Sequence, residues 1–506
     1  MYTPAFKVSR FRPSFLGFCA SALGALSLTT SACGGGNSPS TTPNDPAGTA
    51  GASTAGAAGS STAAGGTSPG GGTTAGGTAS SGAASTAGSA GVSAGGAATA
   101  GAGGTTATAG AAGTAAGGAA GGSAGSGSGG APIVVGGTAT RPQLSADQAA
   151  NFTILKYLEK KGTVTAPTAD PWDPTAGVGD VAALTPKFTV AASGGTDTTV
   201  QSAIDKAVAL GGTDRVAIEI KDGTYREVVC VPNSAPPITL YSKNTDASAT
   251  RIVFNNYNGK VKDAQTPANP CNPAIGSTTY GTSGSPTVAV YANAFYAKNL
   301  TIENDTDETG IANNVQAVAL GTQGDRQIYE NVRLLGNQDT FFVKSSSVDV
   351  IARVFVTKSF IQGDTDFIFG RGVLVIDQTQ INFISSRQGS KGYGIVPSTD
   401  ARNPFGILIN KCNFTADAST TAGTIHLGRA WDESGKDLAT YATLVTSGVY
   451  PNGQALIRES TLGAHIQPAA PWAVAATTSR PFSSTAGTYP ANRLYEFGNT
   501  GPGAAK

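Results

Sequence analysis

The strongest constraint on the fold is a loose repeat in the second half of the chain. A charged or polar residue, a small polar one and then apolar strand residues recur at Lys298-Asn299-Leu300, Glu330-Asn331-Val332, Lys358-Ser359-Phe360, Gln378-Thr379-Gln380-Ile381, Lys411-Cys412-Asn413-Phe414 and Glu459-Ser460-Thr461-Leu462. Successive units begin 32, 28, 20, 33 and 48 residues apart, and the last interval leaves room for one more unit around Tyr441 to Val445. Strands at this period with no helices between them predict a parallel β-helix, in which each coil stacks on the one before. An antiparallel β-sandwich would need hairpin signals such as Asn-Gly between paired strands, and these are few. The strand-forming runs are Val216–Ile220, Glu227–Val231, Ile238–Tyr241, Arg251–Phe254, Thr287–Tyr291, Asn299–Ile302, Val348–Val356, Val373–Ile376 and Gly406–Ile409. The fold class expected is all-β, with short flanking helices. Ser145 to Lys160 has an N-cap serine and an apolar stripe at helical spacing, and Thr198 to Leu210 reads as a second helix.

The first quarter of the chain is different in kind. Lys7, Arg10 and Arg12 precede an apolar run from Phe15 to Leu28 and then Thr30-Ser31-Ala32-Cys33, which is the layout of an export signal over residues 1–32. The apolar run is too short to span a bilayer. Small residues before Cys33 and glycines after it resemble a bacterial lipoprotein signal, so Cys33 is expected to carry a lipid anchor. Thr30 stands where that pattern prefers an aliphatic residue. The expected location is the outer membrane, or secretion if Cys33 is unmodified. From 33 to 131 the sequence is a Gly/Ala/Ser/Thr tract that cannot bury enough apolar surface to order itself, and it is expected to be a tether reaching about 55 Å. Two GxSxG matches in it, at Gly91 and Gly121, lack the strand and helix that motif requires. The catalytic domain is expected over 132–506.

Charge excludes several partners. The chain has a net charge of +1 and 13% charged residues, with no basic run, so neither nucleic acid nor an electrostatic membrane surface is indicated. Two His and no CxxC pair argue against a metal site, and no cofactor is expected. Of five Cys, Cys19 leaves with the signal; Cys230 and Cys271 could pair in an oxidising compartment, and Cys412 reads as a buried strand or turn residue.

The candidate chemistry lies in Gly336-Asn337-Gln338-Asp339-Thr340-Phe341 and Gly363-Asp364-Thr365-Asp366-Phe367-Ile368-Phe369-Gly370. A lone Asp beside Gly is ordinarily a turn residue. Here two sit in apolar runs 27 residues apart, about one coil, so stacking should bring them within one strand spacing, roughly 4.8 Å. Gln316, 23 residues before Asp339, is expected to extend that stack, with Gln338 supplying a second amide. Two carboxylates so close resist ionising together: one holds its proton and a nearby Arg keeps the other charged, leaving a donor and an anion. Leu427-Gly428-Arg429-Ala430-Trp431 offers the cation and a flat aromatic. Thr340 and Phe367, inside these blocks, are expected to face substrate, whereas Trp431, Tyr225 and His426 taken alone read as packing residues. A Ser-His-Asp site has no placed serine to support it.

With Gly223-Thr224-Tyr225-Arg226-Glu227 and Gln316 to Leu320, these blocks resemble the five signature blocks of the pectin methylesterase (pectinesterase) family, in order, within a similarity from about Phe188 to Trp472. The lipoprotein-like signal and Ala470-Pro471-Trp472 are most similar to its bacterial outer-membrane lipoprotein branch, which includes members described as acyl-CoA thioesterase-like. The resemblance implies a right-handed parallel β-helix, acting without metal as a monomer, that removes methyl esters from pectin or methylated oligogalacturonides. It implies Asp366 as nucleophile, Asp339 as acid and then base, Gln316 and Gln338 as oxyanion donors, Arg429 as the holder of Asp366 and Trp431 as a cleft residue. Thr365, Phe341 and Ala430 depart from the usual Val, Leu and Pro, which bears on substrate preference more than on chemistry. The alternatives are an acyl thioesterase on this scaffold, a glycosidase using the same Asp pair, and a non-catalytic carbohydrate-binding β-helix.

Overall fold

The computed structural model describes residues 136–262, 271, 278–385 and 392–506. The export signal, Cys33 and the tether lie outside the described residues. Apart from two short antiparallel pairs near the start, Gly136–Thr138 with Arg141–Gln143 and Lys160–Gly162 with Pro167–Ala169, every ladder between the described strands is parallel. Three ladders run the length of the molecule and make it a parallel β-helix. The first carries Val216–Ile220, Ile238–Tyr241, Arg353–Thr357, Val373–Asp377, Ile407–Asn410, Gln454–Arg458 and Arg493–Phe497; the second carries Gly223–Arg226, Thr250–Phe254, Phe360–Gly363, Gln380–Phe383 and Asn413–Ala416. Two nine-residue strands, Tyr296–Asn304 and Gln327–Leu335, bend through the corner and belong to both.

The third ladder holds the candidate site. Its strands are β1 (Val229–Val231), β2 (Val288–Val290), β3 (Leu320–Thr322), β4 (Phe341–Val343), β5 (Thr365–Gly370), β6 (Tyr393–Pro397) and β7 (His426–Gly428), each hydrogen-bonded to the next. Inward residues of all three ladders, among them Leu240, Val332, Phe341, Ile368, Ile376 and Ile457, form one continuous fully buried core. The helix Val200–Leu210 closes the first coils by burying Val200, Ala203, Ile204 and Ala207, a stripe at helical spacing. Thr199 caps it, and the Glu227 carboxylate accepts the N–H groups of Val200 and Gln201 at 2.8 and 2.9 Å. Tyr225 is buried as expected, its hydroxyl donating to the Lys221 carbonyl at 2.8 Å.

Three expectations need correction. Ser145 to Lys160 is not one helix: Ser145 and Gln148 make a capping box for Ala146–Ala149, then Thr153 adopts an extended conformation and caps a second helix, Ile154–Leu158. The pair packs Leu144, Phe152, Tyr157 and Leu158 against outward residues of the first ladder such as Phe355, Val375 and Leu408. This explains why the Val373–Asp377 strand is apolar on both faces. The wide last interval holds no further coil unit, because Tyr441 to Val445 lies in the helix Leu438–Ser447, with a capping box at Asp437 and left-handed Gly448 ending it. Finally, the repeat is real but slips by one residue in its first two units. Thr357 pairs with Glu330 and Arg333 with Phe360, so Asn299, Asn331, Lys358, Gln378, Lys411 and Glu459 are the equivalent corner residues.

Cys230 and Cys271 form a disulfide with Cα atoms 5.6 Å apart, closing a 41-residue separation. Loop-closure entropy assigns such a link about 4 kcal/mol. Cys412 occupies an inward corner position, and burial pushes its thiol up to about 12.

Candidate active site

The site is built by a distortion of β5. Thr365 pairs with Tyr393 of β6, but Ile368 pairs with Ile395, so Asp366 and Phe367 together oppose the single residue Gly394. Such a bulge reverses the in-and-out alternation beyond it. Asp366 takes a left-handed conformation, φ 50°, and its side chain turns outward, while Phe367 and Ile368 both turn into the core. On β4, Phe341 pairs with Ile368, and the Asp339 N–H donates to the Thr365 carbonyl at 3.1 Å, which sets Asp339 beside Asp366 on the adjacent coil. Asp339 is left-handed too, φ 66°. Two non-glycine residues in this conformation on neighbouring coils, each costing roughly 1–2 kcal/mol, mark a place where side-chain direction outweighs backbone comfort.

Arg429 completes the cluster. It leaves the end of β7 and reaches back past β6, donating Nε to Asp366 Oδ1 at 3.0 Å and Nη2 to Oδ2 at 2.5 Å. This bidentate pair is mostly withdrawn from solvent, with side-chain exposures of 19% for Arg429 and 13% for Asp366. Burial works against the guanidinium charge, but Asp366, with contributions from Tyr393 and Asp339, more than offsets it and raises the Arg429 pKa. Asp364, the other carboxylate of its block, is 1% exposed, so burial separates it from Asp366.

Next along the strands comes an aromatic platform. Phe342 of β4 and Phe369 of β5 stack with centroids 4.3 Å apart, and Trp431 lies tilted against both at 6.1 and 5.8 Å. Val318 and Val396 complete the patch, and the Lys344 ammonium sits 5.4 Å from the Phe342 ring. Two carboxylates on adjacent coils, one of them clamped by an arginine and flanked by aromatic rings, suit nucleophilic attack on an ester.

A family model described as Pectinesterase matches residues 187–459. A pectinesterase of Ralstonia nicotianae is 45% identical over 387 residues, spanning 74% of this chain and 93% of that protein. The chain belongs to the pectinesterase family. Among solved structures, rice weevil pectin methyl esterase superposes with a TM-score of 0.62 at 31% identity, covering 73% of this chain and 99% of that one. Escherichia coli YbhC does so with 0.62 at 29% identity, covering 72% and 96%. The fold shared with these neighbours is the right-handed parallel β-helix, and the protein is a carboxylic ester hydrolase.

As a pectinesterase, the chain brings Asp339, Asp366 and Arg429 together, but not every residue singled out in the sequence joins them. Trp431 packs, partly buried, against Phe342 and Phe369. Phe367 does not face substrate: it is fully buried in the core, edge-on to Phe383 at 5.0 Å, because the bulge turned it inward. Thr340 is fully buried as well, its hydroxyl donating to the Gln362 carbonyl at 2.9 Å and so bracing the turn before β4. Gln316 does not stack on Asp339. Ala317 donates its N–H to the Gln338 carbonyl at 3.1 Å, so Gln316 comes abreast of Gln338, and its amide oxygen accepts from Asn258 Nδ2 at 3.2 Å. Gln316 and Gln338 thus share a register position on adjacent coils, one residue before Asp339.

Two contributors escaped sequence reasoning. Tyr393 lies under the Arg429 guanidinium, 4.4 Å from it, and stacks on His426 at 5.3 Å. Asp432, next to Trp431, is clamped by Arg480 at 2.8 and 3.1 Å and by the Thr478 hydroxyl at 2.6 Å, all fully or nearly fully buried. The pair anchors the segment that carries Arg429 and Trp431. A carboxylate immediately after the Arg-Ala-Trp block was the available signal for Asp432; Arg480 had none. Among the described residues, no group of three or more His, Cys, Asp or Glu is placed to hold a metal ion, and no helix is long and apolar enough to cross a membrane.

Proposed function

We propose that the protein demethylates methyl-esterified polygalacturonate or its oligomers through an acyl-enzyme on Asp366. An Asp366 carboxylate oxygen attacks the ester carbonyl carbon, and the oxyanion that forms is met by the Gln338 and Gln316 amides. Asp339, on the next coil, gives its proton to the departing methoxide, so methanol leaves and an anhydride joins Asp366 to the substrate. Asp339 then takes a proton from water, whose oxygen attacks the same carbon; the C–O bond to Asp366 breaks, freeing the galacturonate and restoring both carboxyl groups. Arg429 fixes the attacking carboxylate, and Phe342, Phe369 and Trp431 offer the sugar ring a face. The observation that carries the reading is the bidentate Arg429–Asp366 pair beside Asp339, both acids turned outward by left-handed backbone.

Methanol release from methylated pectin tests it, with Asp339→Ala and Asp366→Ala alongside. Turnover by the parent and loss of about 10⁴-fold or more in each variant is expected; no methanol from the parent would sink the claim. Acyl thioester hydrolysis is a second reading, favoured by one relative, 30% identical over 407 residues, that bears the name "Putative acyl-CoA thioester hydrolase YbhC". It predicts thioester cleavage that Asp366→Ala abolishes. Unchanged polymer length during methanol release excludes a glycosidase, and any turnover excludes a purely binding module. For the chain outside the described residues, the proposal is an exported monomer tethered to the outer membrane through lipidated Cys33. The supporting features are the basic, apolar and small-residue segments before Cys33, and mass analysis of the mature N-terminus decides it.

A further inference from the structure

Arg429 faces an unusual distance problem. It sits beyond β7, yet its partner Asp366 is on β5, two coils away, so the side chain must cross β6 before its fork can meet the carboxylate. The crossing point is Tyr393, and its surroundings are built for close approach. A Cβ on Gly392 would meet the Asp364 carbonyl at 2.8 Å, and one on Gly394 would meet the Phe383 ring at 2.7 Å and the Leu427 carbonyl at 3.0 Å. Tyr393 is thus the only side chain of this Gly-Tyr-Gly stretch, held between backbones that tolerate nothing larger. Its ring is stacked on His426 with 14° between planes, which fixes its tilt, and the Arg429 guanidinium rests 4.4 Å from its centroid. Thr365, the residue before Asp366, is its register partner.

We infer that Tyr393 is a positioning residue for the reaction: its ring, locked by His426 and the flanking glycines, carries the Arg429 guanidinium across β6 and sets the angle at which the fork holds Asp366. The inference rests on the reading of Asp366 as nucleophile. It assigns the work to the ring face, because a guanidinium over an aromatic face is held by the ring quadrupole, which the hydroxyl does not supply. The phenylalanine ring therefore substitutes and an aliphatic side chain does not.

The test compares Tyr393→Leu, Tyr393→Phe, Arg429→Ala and the double variant Tyr393→Leu/Arg429→Ala on methylated pectin, with thermal midpoints for each. Tyr393→Leu is expected to lower kcat about tenfold with KM within about twofold, and Tyr393→Phe to recover kcat to within about threefold. In the Arg429→Ala background, Tyr393→Leu should cost less than about twofold more, since its effect runs through Arg429. Full kcat in Tyr393→Leu, or losses that multiply in the double variant, would overturn the inference. The Arg429 Nε–H resonance gives a readout that does not need turnover: protected from exchange in the parent and in Tyr393→Phe, it should exchange freely in Tyr393→Leu. Equal protection in all three would reject the positioning role, whereas an inactive parent would reject the esterase reading instead.

Discussion

Two regions of the molecule use the same uncommon backbone conformation for opposite ends. At the corner between the first two ladders, Asn299, Asn331, Lys358, Gln378, Lys411 and Glu459 are all left-handed, with φ between 49° and 59°. At the candidate site, Asp339 and Asp366 are left-handed at 66° and 50°. The corner needs only the bend. Its residue types vary freely, and the cross-coil bonding falls mostly to the next residue inward: Ser359 Oγ accepts Val332 N–H at 3.1 Å, Thr379 Oγ1 accepts Ser359 N–H at 3.2 Å, and Ser460 Oγ accepts Cys412 N–H at 3.0 Å. The site needs the side chain that the bend aims. One conformation therefore tolerates Asn, Lys, Gln and Glu in one place and serves chemistry as Asp in the other.

Placing glycine at both regions breaks this comparison open. Glycine adopts the left-handed region without strain, so Asp366→Gly relieves the backbone by roughly 1–2 kcal/mol. It also leaves Arg429 mostly buried without its carboxylate, which costs more than the strain relief returns. We expect methanol release to fall about 10⁴-fold or more and the urea unfolding free energy to drop by about 1–2 kcal/mol. A more stable Asp366→Gly variant would show that the ion pair contributes less than the strain it imposes.

The contrast also explains what the sequence made legible. Local patterning located the strands Val216–Ile220 and Ile238–Tyr241 to the residue, and the repeat pointed to stacked coils and so to adjacent aspartates. What failed was parity. Phe367 reads as outward by alternation from Phe369, but one extra residue in β5 inverts it, and nothing in Asp-Thr-Asp-Phe announces a bulge. The corner slipped by one for a related reason: Lys298 and Lys358 share a letter, whereas the corner is defined by φ, which Asn299 and Lys358 share. The run Tyr441 to Val445 is rich in β-branched residues and reads as strand, until the Asp437 cap and Gly448 stop decide for helix. Tyr393 and Arg480 act through tertiary contacts with partners 36 and 48 residues away, and no local pattern reports those.

A middle-sized effect belongs to a corner rung where the left-handed side chains themselves bond across the coils. Asn331 Nδ2 donates to Asn299 Oδ1 at 2.8 Å and to the Thr245 carbonyl at 2.9 Å. Asn331→Ala loses both bonds and leaves their acceptors to find other donors, so stability should fall by about 1–2 kcal/mol with kcat within about twofold of the parent. A fall in kcat of tenfold would mean that the corner and the site are coupled, and that they cannot be treated as separate uses of one conformation.

The smallest effect is the sharpest. Lys358 is left-handed at φ 50°, its side chain is exposed, and its corner neighbours are held by the Ser359 hydroxyl rather than by Lys358 itself. Lys358→Gly removes a strain of roughly 1–2 kcal/mol and adds an unfolded-state entropy penalty of about 0.5–1 kcal/mol. The difference predicts a gain of about 0.5 kcal/mol, readable as a higher urea midpoint at unchanged slope, with methanol release untouched. Its sign is opposite to that of Asp366→Gly, although substitution and backbone conformation are the same. A loss of stability in Lys358→Gly would show that the corner side chain contributes after all, through its stem along the coil surface, and the two regions would then differ in degree rather than in what the left-handed turn is for.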